Sequence, residues 1–436
     1  MWKWINNSLW RLVDKLIALY QATLSPDKWI FSPRLKWTVC RHHPHCSAYG
    51  RQCVQRYGFL PGVPYMLERV SQCTPGRDVL YDPAHIRVVF YSGSPLWASF
   101  LRALVADKRY ELVGVVTTPP QKKWRWMRLQ PTLVEQTARE LCAQQIADDP
   151  DFITTPRSLR ADSPKYHEDA ASFRQWLSDR QADVAVVVAY GKLLPEDILA
   201  LPHFGSVNVH GSLLPRYRGA SPFQSAFLEY QRTTWVTLMR MVPELDAGDM
   251  IAHLSFRLRP TDTVKELIGY VEEKAPAFVC TTLWDRVKWH LTAHPQDPSH
   301  VTHCKKIDKE DGLVFLMDDP FLELFAKWKA YALRPKTYTY WHINQQRFLR
   351  KADLADIDLA ALQRWWSDGR RRVLLDHIEV DTTDSEVFFS APDTPETSQP
   401  LLDASWSLHA YVRHLTVRPE GKKTMDYDAF IRWYAR

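Results

Sequence analysis

The chain has 436 residues, too many for one core, so two to four domains are expected. Its 45% apolar content, without low-complexity tracts, excludes a disordered or fibrous protein. The net charge of +6 is confined to residues 1–85, where eleven Lys/Arg face five Asp/Glu.

Near the start, "WINNSLWRLVDKLIALYQ" sets Ile5, Leu9, Leu12/Val13, Leu16 and Leu19/Tyr20 on one helical stripe. Arg11, Asp14 and Lys15 interrupt it, and it falls short of the ~20 apolar residues a membrane span needs. Such a helix fits packing against its own domain, or lying in a membrane interface with its apolar face down. Seven cysteines follow: Cys40, Cys46, Cys53, Cys73, Cys142, Cys280 and Cys304. With no leader ahead of them they imply a reduced, cytosolic chain. Cys40, Cys46 and Cys73 with His42, His43 and His45 are residue types that zinc takes, but no tight Cys-x2-Cys pair is present. Buried thiols are the reading, and no metal is assigned.

Over the same stretch "LIALYQATLSP", "CRHHPHCSAYG", "RYGFLPGVPYMLERVSQCTPG" and "YDP" succeed one another at close spacing. Residues 10–83 thereby resemble the membrane protein insertion efficiency factor family. The resemblance implies a small basic domain on the cytoplasmic face of the inner membrane, beside an anionic surface and the protein-insertion machinery. Cys40, Cys46 and Cys73 fall on the family's cysteine positions, and Cys53 is extra. "RHHPH" and "TPGRDVL" depart from the family pattern.

From Arg87 the rhythm becomes strand then helix. "RVVFYSGSP", "ELVGVVTTPP", "DVAVVVAYG" and "SVNVH" are Val-rich runs, with helical patterns at "LWASFLRALVAD" and from about Pro131 to Ala143. Continuous apolar strands alternating with helices predict a Rossmann-like parallel α/β sheet covered on both faces. Ligands of such sheets bind beyond the carboxyl ends of the strands. Gly93 belongs to no GxGxxG fingerprint, so no dinucleotide site is expected. The pattern breaks at "TAHPQDPSHVTHCKK", which reads as a linker over 291–305. Short alternating segments such as "TYTYWHI" and "EVFFSAP" then predict a small OB-like β-barrel over 306–436. The expected organisation is therefore multidomain: a helical domain over 1–85, an α/β domain over 86–290, the linker and the barrel.

Asn208 and His210 stand two apart at the end of "SVNVH", so an extended strand points both to one face. Gly211 permits a turn there, and Asp246 opens "DAGD" in a loop that can return to the same sheet edge. An amide, an imidazole and a carboxylate suit attack of an amine on a carbonyl: a base takes the proton while donors hold the oxyanion. A strand-end His or Asn is also a common structural residue, and convergence of the three is an assumption at this stage. Ser212 is adjacent, but no second base is evident for it.

"NVHGSLLPRYRGASP" with "LDAGDM" resembles the formyltransferases that use 10-formyltetrahydrofolate, and among them the methionyl-tRNA formyltransferase family. "VVFYSGSP", "VVTTPP", "VVVAYGKLLP", "IDKEDG", "WKAYALRP" and "VRPEGKKTMDYDAF" extend the likeness over residues 87–434. The resemblance implies catalytic Asn208, His210 and Asp246, with Ser212, Leu213, Leu214 and Pro215 binding 10-formyltetrahydrofolate as co-substrate. It also implies that Asn208 and His210 hold the oxyanion, and that Asp246 and His210 move the proton, either being the immediate base. Initiator methionyl-tRNA is the implied partner. Lys122, Lys123, Arg125 and Arg128, interleaved with Trp124 and Trp126, match the loop that enters its acceptor stem. Arg370, Arg371, Arg372, Arg418, Lys422 and Lys423 add candidate phosphate contacts in the last domain. "ALRPKTY" departs from the family's Pro-Trp-Pro-Gly turn.

Two rival readings use the same residues. One changes the acceptor to an amino sugar or other small amine, against which "IDKEDG" and "EGKK" count. The other makes the chain a membrane-biogenesis factor with a passenger domain, against which the intact Asn208, His210 and Asp246 count. Since the catalytic motifs all lie after Ala84, residues 86–436 are expected to fold and act alone.

Overall fold

Val-rich runs become strands and the intervening patterns become helices in the computed structural model, which describes residues 14–19, 42–71, 80–94, 97–123, 128–160, 162, 166–288, 291–342, 347–348, 370–380, 412–419 and 422–434. Contacts divide the chain into two units. One is Met1–Val209, Leu238–Pro243 and Pro276–His294; the other is His210–Thr237, Glu244–Ala275 and Pro295–Arg436.

In the first unit, residues 14–19 are helical, and β1 (His42–His43) precedes two helices, α1 (Cys46–Tyr57) and α2 (Phe59–Ser71). The helices turn at Gly58, whose φ of 90° suits glycine. They approach so closely at Gly62 that a Cβ there would lie 2.7 Å from the Cys53 carbonyl oxygen. β2 (Leu80–Tyr81) pairs parallel with β1, and Tyr49, Cys53 and Ala84 form the local core with Tyr57 and Tyr65. No group of three or more metal-ligating side chains occurs among the described residues. Cys40 and Cys73 lie outside them.

The main sheet starts with β3 (Ile86–Ser92), flanked by β4 (Tyr110–Thr117), with α3 (Ala98–Ala106) in the connection. An antiparallel ribbon, β5 (Gln121–Lys123) with β6 (Arg128–Gln130), leads to α4 (Leu133–Leu141). Thr132 caps α4 by accepting the Glu135 N–H at 3.1 Å. Then come β7 (Ile153–Thr154), α5 (His167–Asp179), β8 (Val184–Val187) and β9 (Ser206–His210). These five strands are parallel in the order β9–β8–β3–β4–β7. Ile86, Val88, Val89, Phe90 and Val115 are fully buried, as expected of strands covered on both faces. Backbone at Met241 returns to Ser206, its N–H donating to the Ser206 carbonyl at 2.8 Å.

Residues 42–71 and 80–85 are built into this unit through polar anchors. The Tyr81 hydroxyl donates to the Asp183 carboxylate, which also accepts the Arg87 N–H at 2.7 Å. Asp183 is only 1% exposed, and burial pushes its carboxyl upward against those two donors. Arg56 donates to the Lys108 and Tyr110 carbonyls. Lys288, at the end of a helix running Val264–Lys288, donates to the Asp82 carboxylate and the Pro83 carbonyl. Arg69, 2% exposed, donates to the same Asp82 and to the Pro44 carbonyl, its guanidinium 4.4 Å from the Tyr49 ring centroid. One carboxylate thus serves two buried cations.

In the second unit, β10 (Arg218–Gly219) is followed by α6 (Pro222–Leu228), β11 (Thr233–Arg240), which begins here, and β12 (Met250–Arg257). The helix Val264–Lys288, here α7, also begins here. β13 (His303–Cys304) pairs parallel with β10, so the expected linker carries a strand. Beyond it stands α8 (Phe321–Ala330), then β14 (Tyr338–His342), β15 (Arg347–Phe348), β16 (Arg370–Val380), β17 (Val412–Pro419), β18 (Met425–Asp426) and α9 (Tyr427–Tyr434). The strands form an antiparallel sheet ordered β15–β14–β16–β17–β18. Phe321, Leu324 and Phe325 of α8 pack with Val373, Leu375, Val417 and Phe430. Where a barrel was expected, the described residues give an antiparallel sheet packed with helices. "TYTYWHI" supplies β14, and "EVFFSAP" lies outside the described residues.

Candidate active site

β9 ends at His210, and the chain must turn at once. A Cβ on Gly211 would lie 2.7 Å from the Phe223 ring, so the turn needs glycine for space. His210 is 5% exposed. Its Nε2 lies 2.8 Å from the Tyr217 carbonyl oxygen and its Nδ1 lies 3.6 Å from Asp246 Oδ2. A carbonyl can only accept, so Nε2 carries a proton that is tied to the backbone. The exchangeable proton of the ring is therefore the one on Nδ1, which faces a carboxylate. Imidazole and carboxylate so arranged can take one proton from a bound amine and return it to a leaving group.

Asp246 reaches this position from a loop in which its own φ is 51°, an uncommon conformation for a non-glycine residue. Its Oδ2 accepts the Gly219 N–H at 2.9 Å, which turns the carboxylate toward the ring. Gly219 stands against the paired strand so tightly that a Cβ would lie 2.3 Å from the Cys304 carbonyl oxygen. Tyr217 and Arg218 are held by Thr302, whose hydroxyl accepts the Tyr217 N–H at 2.8 Å and whose carbonyl accepts the Arg218 N–H at 2.9 Å.

Ser212 donates its hydroxyl to the Arg216 carbonyl at 2.6 Å and is 1% exposed. That bond closes the turn and commits the hydroxyl proton to the backbone. The Ser212 carbonyl accepts the Thr237 hydroxyl at 2.6 Å. Leu214 is buried, while Leu213 and Pro215 are half-buried. Asn208 is half-buried on β9, two residues before His210, and strand alternation points both side chains to one face. The structure brings His210 and Asp246 together and follows them with the Ser212–Pro215 turn.

Of the basic loop, Lys122 and Lys123 lie on β5 and Arg128 on β6, with Lys123 opposite Arg128. Arg125 lies outside the described residues. In the C-terminal antiparallel sheet Arg370, Arg371 and Arg372 lie on β16. Arg372 stacks 4.0 Å from the Tyr338 ring centroid, and Arg418 pairs with Asp376 at 3.1 Å, so both already have structural work. Lys422 and Lys423 are exposed. Sequence reasoning missed Tyr217, Gly219, Thr302 and Cys304, because pairing of β10 with β13 has no local signal.

Residues 86–283 match the formyl transferase family, and residues 9–85 match the membrane protein insertion efficiency factor family. The methionyl-tRNA formyltransferase of Roseiflexus castenholzii is 34% identical over 325 residues, 74% of this chain and 95% of that one. That of Deinococcus radiodurans is 34% identical over 255 residues, 58% of this chain and 74% of that one. HypX from Aquifex aeolicus, solved in complex with tetrahydrofolic acid, aligns with a TM-score of 0.45 at 14% identity, covering 81% of this chain and 48% of that one.

Proposed function

The chain belongs to the methionyl-tRNA formyltransferase family, and from that premise we propose that it moves the formyl group of 10-formyltetrahydrofolate to the α-amine of initiator methionyl-tRNA, supplying translation initiation. The pairing of His210 Nδ1 with Asp246 carries the proposal, because amine attack needs a proton acceptor there. The amine nitrogen forms a bond to the formyl carbon, and the carbonyl electrons move to oxygen. The Asn208 amide holds that oxyanion. His210 and Asp246 take the amine proton and return one to N10 as the bond from carbon to N10 breaks. Ser212, Leu213, Leu214 and Pro215 hold the folate, their backbone fixed by the Thr237 and Ser212 hydroxyl bonds. Formylation of methionyl-tRNA by the purified chain, in competition with an amino sugar, tests the reading. Preference for the sugar would transfer it to the small-acceptor alternative.

The β5–β6 ribbon and the C-terminal domain, proposed to complete an OB-like barrel, hold the tRNA through phosphates. Binding of that kind releases counterions, so affinity falls linearly with salt on logarithmic axes. Neutralising Lys122, Lys123 and Arg125 together is expected to flatten that line by about one unit per lost contact, with folate affinity unchanged. An unchanged slope would return the ribbon to a solvated face.

Residues 1–85 are proposed to keep the enzyme on the cytoplasmic face of the inner membrane, beside the insertion machinery. Leu16 and Leu19 are 54% and 60% exposed, and Leu60 and Leu67 of α2 are 49% and 58% exposed, in a segment holding the whole basic excess. Among the described residues no helix is long and apolar enough to cross a membrane. Co-flotation with anionic vesicles should occur and weaken as salt rises, each basic group near the surface contributing ~1 kcal/mol. Equal flotation with neutral vesicles would remove the electrostatic part of this reading.

A further inference from the structure

We infer that Gln296, in the segment joining the catalytic and C-terminal domains, is a positioning residue for the formyl-transfer site. Its amide nitrogen donates to two carbonyls of the catalytic loop, those of Asp246 at 2.8 Å and Gly248 at 2.7 Å. Its amide oxygen accepts from the Arg218 guanidinium, at 3.0 Å from Nε and 2.7 Å from the terminal nitrogen. Arg218 neighbours Gly219, whose N–H is the donor that orients the Asp246 carboxylate. One side chain therefore links the backbone of Asp246 to the strand that aims its carboxylate.

The link matters because Asp246 has a φ of 51°, a conformation its loop must be held in. Both ends of the amide are needed. A donor alone would fix the loop, and an acceptor alone would fix Arg218; only the two together set their separation. At 3.6 Å, His210 and Asp246 stand just beyond a direct hydrogen bond, so a small displacement of the loop decides whether the carboxylate and the ring can share a proton. The inference rests on the proposed roles of His210 and Asp246, and Gln296 acts through them without touching substrate.

Steady-state formylation by the full chain bearing Gln296→Ala or Gln296→Glu tests it, with Asp246→Ala alongside. Glutamate keeps the volume and the acceptor toward Arg218 but cannot donate to the two carbonyls. Both Gln296 variants are expected to lose roughly ten- to a hundredfold in kcat, with KM for tRNA and for the formyl donor within about twofold. Melting temperature, measured on the same samples, separates this loss from unfolding. Near-parental kcat in Gln296→Glu would overturn the inference, since only the contact to Arg218 would then count. If Asp246→Ala is impaired while both Gln296 variants turn over normally, the positioning role alone fails. If Asp246→Ala is itself normal, the site reading fails and the inference with it.

Discussion

Replacing Asp246 by alanine should lower kcat by about a hundred- to a thousandfold, a loss of ~3–4 kcal/mol of transition-state stabilisation, and leave KM within about twofold. The argument runs through His210. Its Nε2 proton is committed to the Tyr217 carbonyl, so any proton the ring gains or gives passes through Nδ1. Asp246 is the carboxylate facing that atom, and in the proposed mechanism the two share the proton taken from the amine. Alanine takes away the carboxylate that faces the buried ring, and leaves the Gly219 N–H without its Asp246 acceptor. Asparagine at 246 should be nearly as damaging, because it keeps the shape and removes the charge. Binding of either substrate precedes these events, which is why KM stays. Rapid-quench turnover of the variant checks the expectation; near-normal kcat would mean that another group carries the proton.

Much of the sheet and of the candidate site was legible beforehand, for a physical reason. Fully buried parallel strands must be apolar along their whole length, so β3, β4 and β8 stand out in the sequence. Asn208 and His210 stand out because they are polar side chains alternating with valines on β9. Gln296 and Cys304 did not stand out, since their surroundings are rich in Pro, His and Ser and read as a linker. That composition reports solvent exposure, and it is silent about a two-residue strand paired with Arg218 and Gly219. α8 was passed over for a related reason: short alternating segments on either side drew the whole region into one pattern. The place of Lys288 was equally hidden. Its partner Asp82 is about two hundred residues away in sequence, and no periodicity encodes a contact of that range.

That contact carries the other large expected effect. Replacing Asp82 by alanine should destabilise the first unit by about 3–5 kcal/mol, because it removes the carboxylate shared by two cations that are largely withdrawn from water. Arg69 is 2% exposed and the Lys288 side chain 8%, and Asp82 is the carboxylate both share. Burial already pulls the Lys288 ammonium below its usual range, with Asp82 opposing that pull. At ~2–4 °C per kcal/mol for a unit of this size, the melting temperature should fall by about 10 °C. Replacing Lys288 by methionine in the same chain should recover part of the loss, since one stranded charge is then gone. Deleting residues 1–85 is a different experiment: Lys288 returns to water, while Asp183 loses the Tyr81 hydroxyl and Tyr110 loses Arg56. The shortened chain keeps Asn208, His210 and Asp246, so it should still formylate methionyl-tRNA at low temperature while melting below the parent. Thermal melts of the parent, Asp82→Ala, Asp82→Ala with Lys288→Met, and residues 86–436 decide the matter. If Asp82→Ala melts with the parent, the basic domain is not docked in solution and is only tethered. If the double variant melts lower still, the two cations were not the source of the cost.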